Sequence, residues 1–366
     1  VLGRTDAKLF DPDREPPALL SPGDTVRFTP VRDEASDRSQ PAESDHGGRE
    51  PHEVQPGEGP EMISGHLHVS TAWPRSVSLQ ATPRHGVGHW GMAEAGALDA
   101  RAFEAANEIV GNPRHALALE AIGHPVTLAP TVTMRAALTG GGLAARLDGR
   151  PIRRWEAFDW PAGSALELFP DPASTGYTTY LAVTGGFQGE SFRESASTDA
   201  RAGVGGAHRY LASGDRLQVV VPEVPGAGRP HIGTPRYAER VVLRIWPGPQ
   251  YESAAWNQLV GTSFRVDVLD RTGARLHGPP VELDRHETTS EGSPAGAVQV
   301  PPDGLPIVLL ADRGRTGGYA KPAVVDRRDL WLLAQAGPGT EIWLDPAGGH
   351  RGRGAEPMVE PVHWKL

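Results

Sequence analysis

The sequence predicts a mainly β protein, built as two β-barrel halves with a few short helices. A glycine turn followed by an alternating strand recurs at SPGDTVRF (21–28), PAGSALELF (161–169), ASGDRLQVV (212–220) and GPGTEIWL (337–344), the mark of hairpin edges in barrels or sandwiches. The chain of 366 residues carries 45 Gly and 35 Pro at 38% hydrophobic content, which suits a turn-rich β protein better than a helical bundle. Strands do not alternate regularly with helices, so a doubly wound α/β sheet is disfavoured.

The elements follow in order. Further strands are expected at 63–70, 116–121, 125–129, 132–138, 178–184, 241–246, 297–300 and 306–311. Helices are expected at 99–110, 252–259 and 327–335. The first is the best marked. Asp99 is a fair N-cap, Phe103, Ala106, Ile109 and Val110 share a face, and Gly111-Asn112-Pro113 is a stop. The Pro/Gly-rich segment 222–238 reads as a joint between halves at 62–221 and 239–350, with 351–366 as a tail. Residues 33–61 hold nine Asp/Glu against two Arg and one large apolar residue, Val54, so they read as a disordered acidic linker. That isolates 1–32, too short for a domain, as the tail of a domain whose bulk lies elsewhere.

Composition excludes several function classes. The linker carries −7 of the net charge of −9, leaving a nearly neutral body without a basic stripe, which argues against nucleic acid. There is no cysteine, hence no disulfide and no thiolate chemistry. No apolar run reaches membrane-span length and no leader pattern opens the chain, so the expected location is the cytoplasm. Neither G-x-x-x-x-G-K-[ST] nor G-x-S-x-G occurs, and Gly203-Val204-Gly205-Gly206 reads as a turn rather than a dinucleotide loop.

The chemistry-bearing residues cluster in loops. Arg84, His85 and His89 surround Gly86, Gly88 and Gly91 ahead of the first helix, where backbone and cation can approach a ligand closely. A His there could orient a carboxylate, shuttle a proton or face solvent. His66 and His68 share a strand face without a third ligand nearby, so no metal site is expected. Ser197, Thr198 and Asp199 precede a glycine run and could shape an anion-binding concavity or an Asx turn. In the second half the candidates are Asp270, Arg271, Ser290, Glu291, Gln299, Tyr319 and Lys321, the last being the only lysine in the body.

These blocks fit a known family. HWGM…GALD…RAFEAANEIVGNP…ALE, AVTGGF…STD…GGAHR…SGDRL and LDRTGARLHGPP…SEGSPAGAVQVPPDGLPIVLLADRGRTGGYAKPAVV resemble the KipA-like family, known as allophanate hydrolase subunit 2 or the C subunit of bacterial 5-oxoprolinase. GRTD…LFDPDREPPALLSPGDTVRF resembles the C-terminus of the KipI-like partner family, allophanate hydrolase subunit 1 or the B subunit of 5-oxoprolinase, so the acidic linker would be a fusion joint. The resemblance implies a cyclophilin-like barrel for each half. It implies ATP-dependent opening of 5-oxoproline to glutamate, with a KipI-like protein as one partner and a LamB/YcsF-like, ATP-using protein as the other. It also leaves open a non-catalytic regulatory role, or the carboxyltransferase part of a biotin-dependent carboxylase.

Under either enzymatic reading, Arg84, His89, Arg271 and Lys321 are candidate cationic donors and Asp270 or Glu291 the acid/base. Asp99, Ser197, Thr198, Asp199, Ser290, Glu291, Gln299 and Tyr319 are the candidate substrate-binding residues. Four positions that are usually polar in the family are apolar here: Ala81, Ala95, Ala196 and Leu269.

Overall fold

The computed structural model describes residues 61–171, 173–223 and 232–348. The expected tail domain (1–32), almost all of the expected linker and the C-terminal tail lie outside them.

The first half contains β1 (Met62–Ala72), β2 (Val77–Gln80), α1 (Ala100–Ile109), β3 (Ala118–Ile122), β4 (Val126–Pro130) and β5 (Met134–Gly140). It continues with β6 (Leu143–Leu147), β7 (Arg150–Ile152), β8 (Ala157–Trp160), β9 (Leu166–Pro170), β10 (Thr178–Val183) and β11 (Arg216–Pro222). The second half contains β12 (Arg240–Pro247), α2 (Ser253–Val260), β13 (Ser263–Leu269), β14 (Gly273–His277) and β15 (Glu287–Gly292). Then come β16 (Ala297–Val300), β17 (Ile307–Leu309), β18 (Thr316–Val325), α3 (Leu330–Ala334) and β19 (Glu341–Pro346).

Two sheets build the first half, in the orders β11-β1-β4-β9-β6-β7 and β2-β3-β10-β5-β8. Alternation along β4 and β11 turns one side chain in two inward. Leu67, Leu119, Leu128, Leu138, Leu166 and Val219, drawn from both sheets, fill one core. The five-stranded sheet is largely buried on both faces. Its outer face takes α1, whose Phe103, Ala106 and Ile109 pack on Ala118, Tyr180 and Ala182.

The second half is a closed barrel. Its order runs β12-β19-β13-β14-β17-β16-β18, and β18 returns to pair with β12 through Ile245↔Val325, so seven strands leave no open edge. Only β15 stands outside, paired to the free part of β18. Phe264, Leu243, Leu276, Val298, Leu333 and Leu344 fill the interior, and Leu98 and Ile122 of the first half join the same cluster.

Each expected strand within the described residues is present with ends shifted by a few residues, and the one expected at 21–28 lies outside them. Two expectations need adjustment. The helix at 327–335 begins as a 3-10 turn, Arg327–Asp329, before α3. The segment 316–325, for which the sequence predicts no strand, is the long strand β18. Gly317, Gly318 and Pro322 conceal it, yet it borders three other strands and so is held by pairing rather than propensity.

Candidate functional site

Where the halves meet, buried ionic groups form a continuous chain. Arg271 follows β13 and is 1% exposed. Its Nε and Nη2 donate to both oxygens of Asp312 at 2.7 and 2.8 Å, Nη1 donates to Glu120, and Nη2 also donates to the Gly96 carbonyl at 2.9 Å. Burial alone would lower its pKa, but Asp312 and Glu120 reverse this and hold it well above the ordinary value. Burial raises the Asp312 pKa, with Arg271 opposing.

From Glu120 the chain runs on through neutral groups. Glu120 Oε2 accepts from Leu98 N–H at 2.9 Å and from the Tyr180 hydroxyl at 2.7 Å, and that hydroxyl accepts from Asp99 N–H at 2.8 Å. Asp99 caps α1 as the sequence suggests, Oδ1 taking Arg101 and Ala102 N–H at 3.1 Å. Its Oδ2 accepts from Gln335 Nε2 across the junction at 2.9 Å. Gln335 Oε1 receives three backbone N–H groups of the first half, from Gly141, Tyr177 and Thr178. Burial pushes the Asp99 pKa up to about 6, against the bonds from Ala102, Gln335 and Arg101. Asp99 is therefore a structural clamp between the halves.

The glycine loop faces a second group of cations. Arg313, 3% exposed, donates Nε to Ser293 O at 2.8 Å, and its Nη2 lies 3.5 Å from Glu94 Oε2. Arg315 Nη1 is 3.4 Å from Glu94 Oε1. A Cβ on Gly88 would stand 2.5 Å from Arg315 Nη2, so a side chain there would displace the guanidinium. Arg84, also 1% exposed, donates Nη2 to Ser197 O. Burial lowers its pKa; Asp199 and Asp312 oppose that and Arg271 adds to it.

Ser197 and Asp199 fold their own loop against that Arg. Ser197 Oγ accepts from Ala81 N–H at 2.9 Å and donates to Thr82 O at 3.0 Å. Asp199 Oδ1 takes Arg201 and Ala202 N–H at 3.1 Å, and Oδ2 takes Ala93 N–H at 3.2 Å. Gly203 and Val204 double back onto Asp199 O, so the glycine run is a turn, as expected. His89 is exposed on a 3-10 turn, Gly88–Trp90, with its ring 4.6 Å from Trp90.

A third cluster sits on the barrel wall. Lys321 of β18 is fully buried; its Nζ lies 3.0 Å from Glu291 Oε1 of β15 and donates to Tyr319 O at 3.1 Å. Gln250 donates to the same Glu291 oxygen at 2.9 Å and accepts from Lys321 N–H at 2.9 Å. These bonds hold the Glu291 pKa below the usual carboxylate range. Gln299 and Ser293 lie beside Gly317, and Ser293 O accepts from Arg313.

The structure thus gathers Arg84, Ser197, Thr198 and Asp199 around the glycine loop, joins Asp99 and Arg271 through Glu120 and Tyr180, and gathers Glu291, Gln299, Tyr319 and Lys321 on the barrel. Ser290 and Asp270 are exposed, and Asp270 Oδ1 closes its own hairpin turn on Thr272 and Gly273 N–H at 2.7 and 3.1 Å. Sequence reasoning missed Glu94, Glu120, Asp312, Arg313, Arg315 and Gln335. Only their spatial neighbours reveal them. Three of the four apolar departures also acquire a reason: Ala81 and Leu269 belong to the two cores, and Ala196 packs against the first. A shallow pocket lined by Ile63, Val132, Met134, Arg135 and Val221 lies apart from every candidate.

Residues 90–346 match the carboxyltransferase domain, subdomain A and B. The chain belongs to that family. It is 34% identical over 272 residues to the C subunit of the 5-oxoprolinase of Haemophilus influenzae, covering 73% of this chain and 86% of that protein. The urea amidolyase of Lachancea kluyveri is 28% identical over 295 residues, 71% of this chain but 16% of the yeast protein. The crystal structure of TTHA0988 superposes with a TM-score of 0.71 at 39% identity, over 92% of this chain and 64% of that one. This carboxyltransferase-domain chain therefore spans less than two thirds of TTHA0988. The KipA-like resemblance and the mainly β architecture agree with these relatives. Among the described residues no helix is long and apolar enough to cross a membrane.

Proposed function

We propose that this chain is the C component of a 5-oxoprolinase-type complex, in which partner proteins work with it to open the lactam of 5-oxoproline to glutamate. The observation that carries the reading is the buried cation group between the halves. Arg84, Arg313 and Arg315 line one junction, with Arg271 fixed behind them by two carboxylates. Fixed donors in a water-poor site are what a developing oxyanion requires. The relatives named as C subunits of 5-oxoprolinase support 5-oxoproline as the substrate.

Within that reading, Arg271 acts by position, because all its nitrogens are engaged in holding Asp312, Glu120 and Gly96. Glu291, its carboxylate held ionised by Lys321 at the barrel wall, can serve as a base, whereas the Asp270 carboxylate is committed to a turn. His89 stands exposed at the loop tip, available for proton transfer. ATP belongs on the LamB/YcsF-like partner, and a KipI-like domain is the second partner, with residues 1–32 assigned to it.

The test reconstitutes the chain with its partners, ATP and 5-oxoproline and measures glutamate. No glutamate above a control lacking this chain overturns the reading. The family description favours carboxyl transfer as a second reading; it gains if a biotin carrier co-purifies and its label passes to an acceptor. Turnover that is altered by the chain but indifferent to E291Q would point to a regulatory role.

A further inference from the structure

Arg84 is a buried cation with most of its donors idle. Its Nη2 bonds to Ser197 O, while Nε and Nη1 have no hydrogen-bond partner among the described residues. The nearby carboxylates are engaged: Asp199 by Ala93, Arg201 and Ala202, and Asp312 by Arg271. Buried polar groups are nearly always satisfied, so such idle donors call for an acceptor that the folded chain does not supply.

Two further idle groups lie on or against the same segment, whose Ser197 O takes the Arg84 bond. Thr198, 1% exposed, has no partner for Oγ1 among the described residues. Fully buried Gln80 donates Nε2 to Ser78 Oγ at 2.9 Å and Thr198 O at 3.4 Å, leaving its Oε1 without a donor. The backbone approaches them closely at two glycines. A Cβ at Gly205 would stand 2.7 Å from Arg84 Nη2, and one at Gly206 would stand 2.4 Å from Thr198 Oγ1. Both glycines have positive φ, 72° and 51°.

We infer that Arg84, Thr198 and Gln80 form a subsite for a small acid carrying an amide N–H beside its carboxylate. The carboxylate accepts from the Arg84 guanidinium and the Thr198 hydroxyl, and the N–H donates to Gln80 Oε1. A planar carboxylate matches the forked donors of a guanidinium. Arg84, Thr198 and Gln80 are at most 1% exposed, so a ligand reaches them only when the surrounding loops move. The identity of the ligand as 5-oxoproline, a lactam bearing a carboxylate, rests on the proposed function; the subsite chemistry does not.

The experiment is calorimetric titration of the full chain, with its partner proteins present, against 5-oxoproline, 2-pyrrolidinone (the same lactam without the carboxylate), L-glutamate and acetate. The deciding variant is T198V. Since Oγ1 has no protein partner, T198V should leave the melting temperature unchanged or raised while weakening 5-oxoproline binding by about tenfold. R84Q should weaken it further, and 2-pyrrolidinone should bind weakly and ignore T198V. If R84Q fails to fold, T198V alone decides.

Equal binding of 5-oxoproline by wild type, T198V and R84Q overturns the subsite and leaves the oxoprolinase reading intact. If 5-oxoproline fails to bind but another carboxylate binds in a Thr198-dependent way, the subsite stands and the substrate reading falls. If none of the probes binds, the cradle serves only water and the subsite falls.

Discussion

Arg271 offers the sharpest test of how the halves are joined. Replacing it with Met keeps much of its volume but removes the cation from between Glu120, fully buried, and Asp312, with a side chain 13% exposed. Breaking a buried ion pair from one side costs about 3–5 kcal/mol because the other charge is stranded. Set against about 5–15 kcal/mol for a typical domain, that is a large share. For a body of this size the melting temperature should fall by roughly 6–20 °C. The deficit should also depend on pH. Burial already raises the Asp312 pKa, and loss of Arg271 raises it further. A carboxylate whose folded pKa exceeds its unfolded value costs stability above that pKa, and the cost fades as pH falls toward the unfolded value. The R271M deficit, followed by thermal unfolding from pH 8 to pH 5, should therefore narrow. D312N in the same chain should recover part of the loss. A fall of less than about 1 kcal/mol, within the range of an ordinary exposed pair, or a deficit that widens on acidification, would refute the ion chain as the link between the halves.

Three further outcomes follow from the same contacts. Asp99, with its pKa pushed up to about 6, stabilises the fold most below its unfolded value near 4 and costs about 3 kcal/mol once pH exceeds 6. D99S keeps an N-cap and should remove this part of the slope in denaturant titrations at pH 4.5 and 7; an unchanged slope contradicts the assignment. Lys321 should resist acylation until β15 is released, so E291Q should raise its labelling severalfold by mass spectrometry, easily assigned in a chain whose only other lysines are Lys8 and Lys365. Equal labelling would mean that Glu291 does not latch the strand. G88A should push aside the Arg315 guanidinium at a cost of less than about 1 kcal/mol while lowering turnover of the assembled complex; unchanged turnover would remove Arg315 from the site.

The sequence makes some of this legible through local rules and conceals the rest for a physical reason. The cap at Asp99, the stop at Gly111 and the turn-plus-alternation strands are each written in a stretch of about a dozen residues or fewer. The bond from Arg271 to Glu120 spans 151 positions, and that from Gln335 to Asp99 spans 236. No periodicity carries such information, so Glu120 looks like any strand carboxylate and Gln335 like a helix end. Lys321 stands out as a lone lysine, but its strand does not, because glycine and proline mask β18 until its partners are known. Asp270 and Arg271 show the limit most clearly. Adjacent in sequence, they stand on opposite sides of a boundary: one is exposed and closes its own hairpin, the other is buried and ties two halves together.

That contrast extends to the arginines as a way of telling struts from sites. Arg271 has its nitrogens engaged by carboxylates and a carbonyl, so its charge is consumed in holding geometry and has little left for a ligand. Arg84 is equally buried but keeps two nitrogens idle, a state that costs stability unless something else uses it. Arg313 falls between, held by two carbonyls and reaching toward Glu94. Strain of this kind is retained where binding relieves it, and Arg84 lies where the backbone of the 197–206 turn approaches closely at Gly205. The two halves could have been joined by apolar packing alone, as Leu98 and Ile122 already show within the barrel's core cluster. Aligning a costly ion chain behind an unsatisfied guanidinium makes sense if the junction must hold that guanidinium still while a ligand comes and goes.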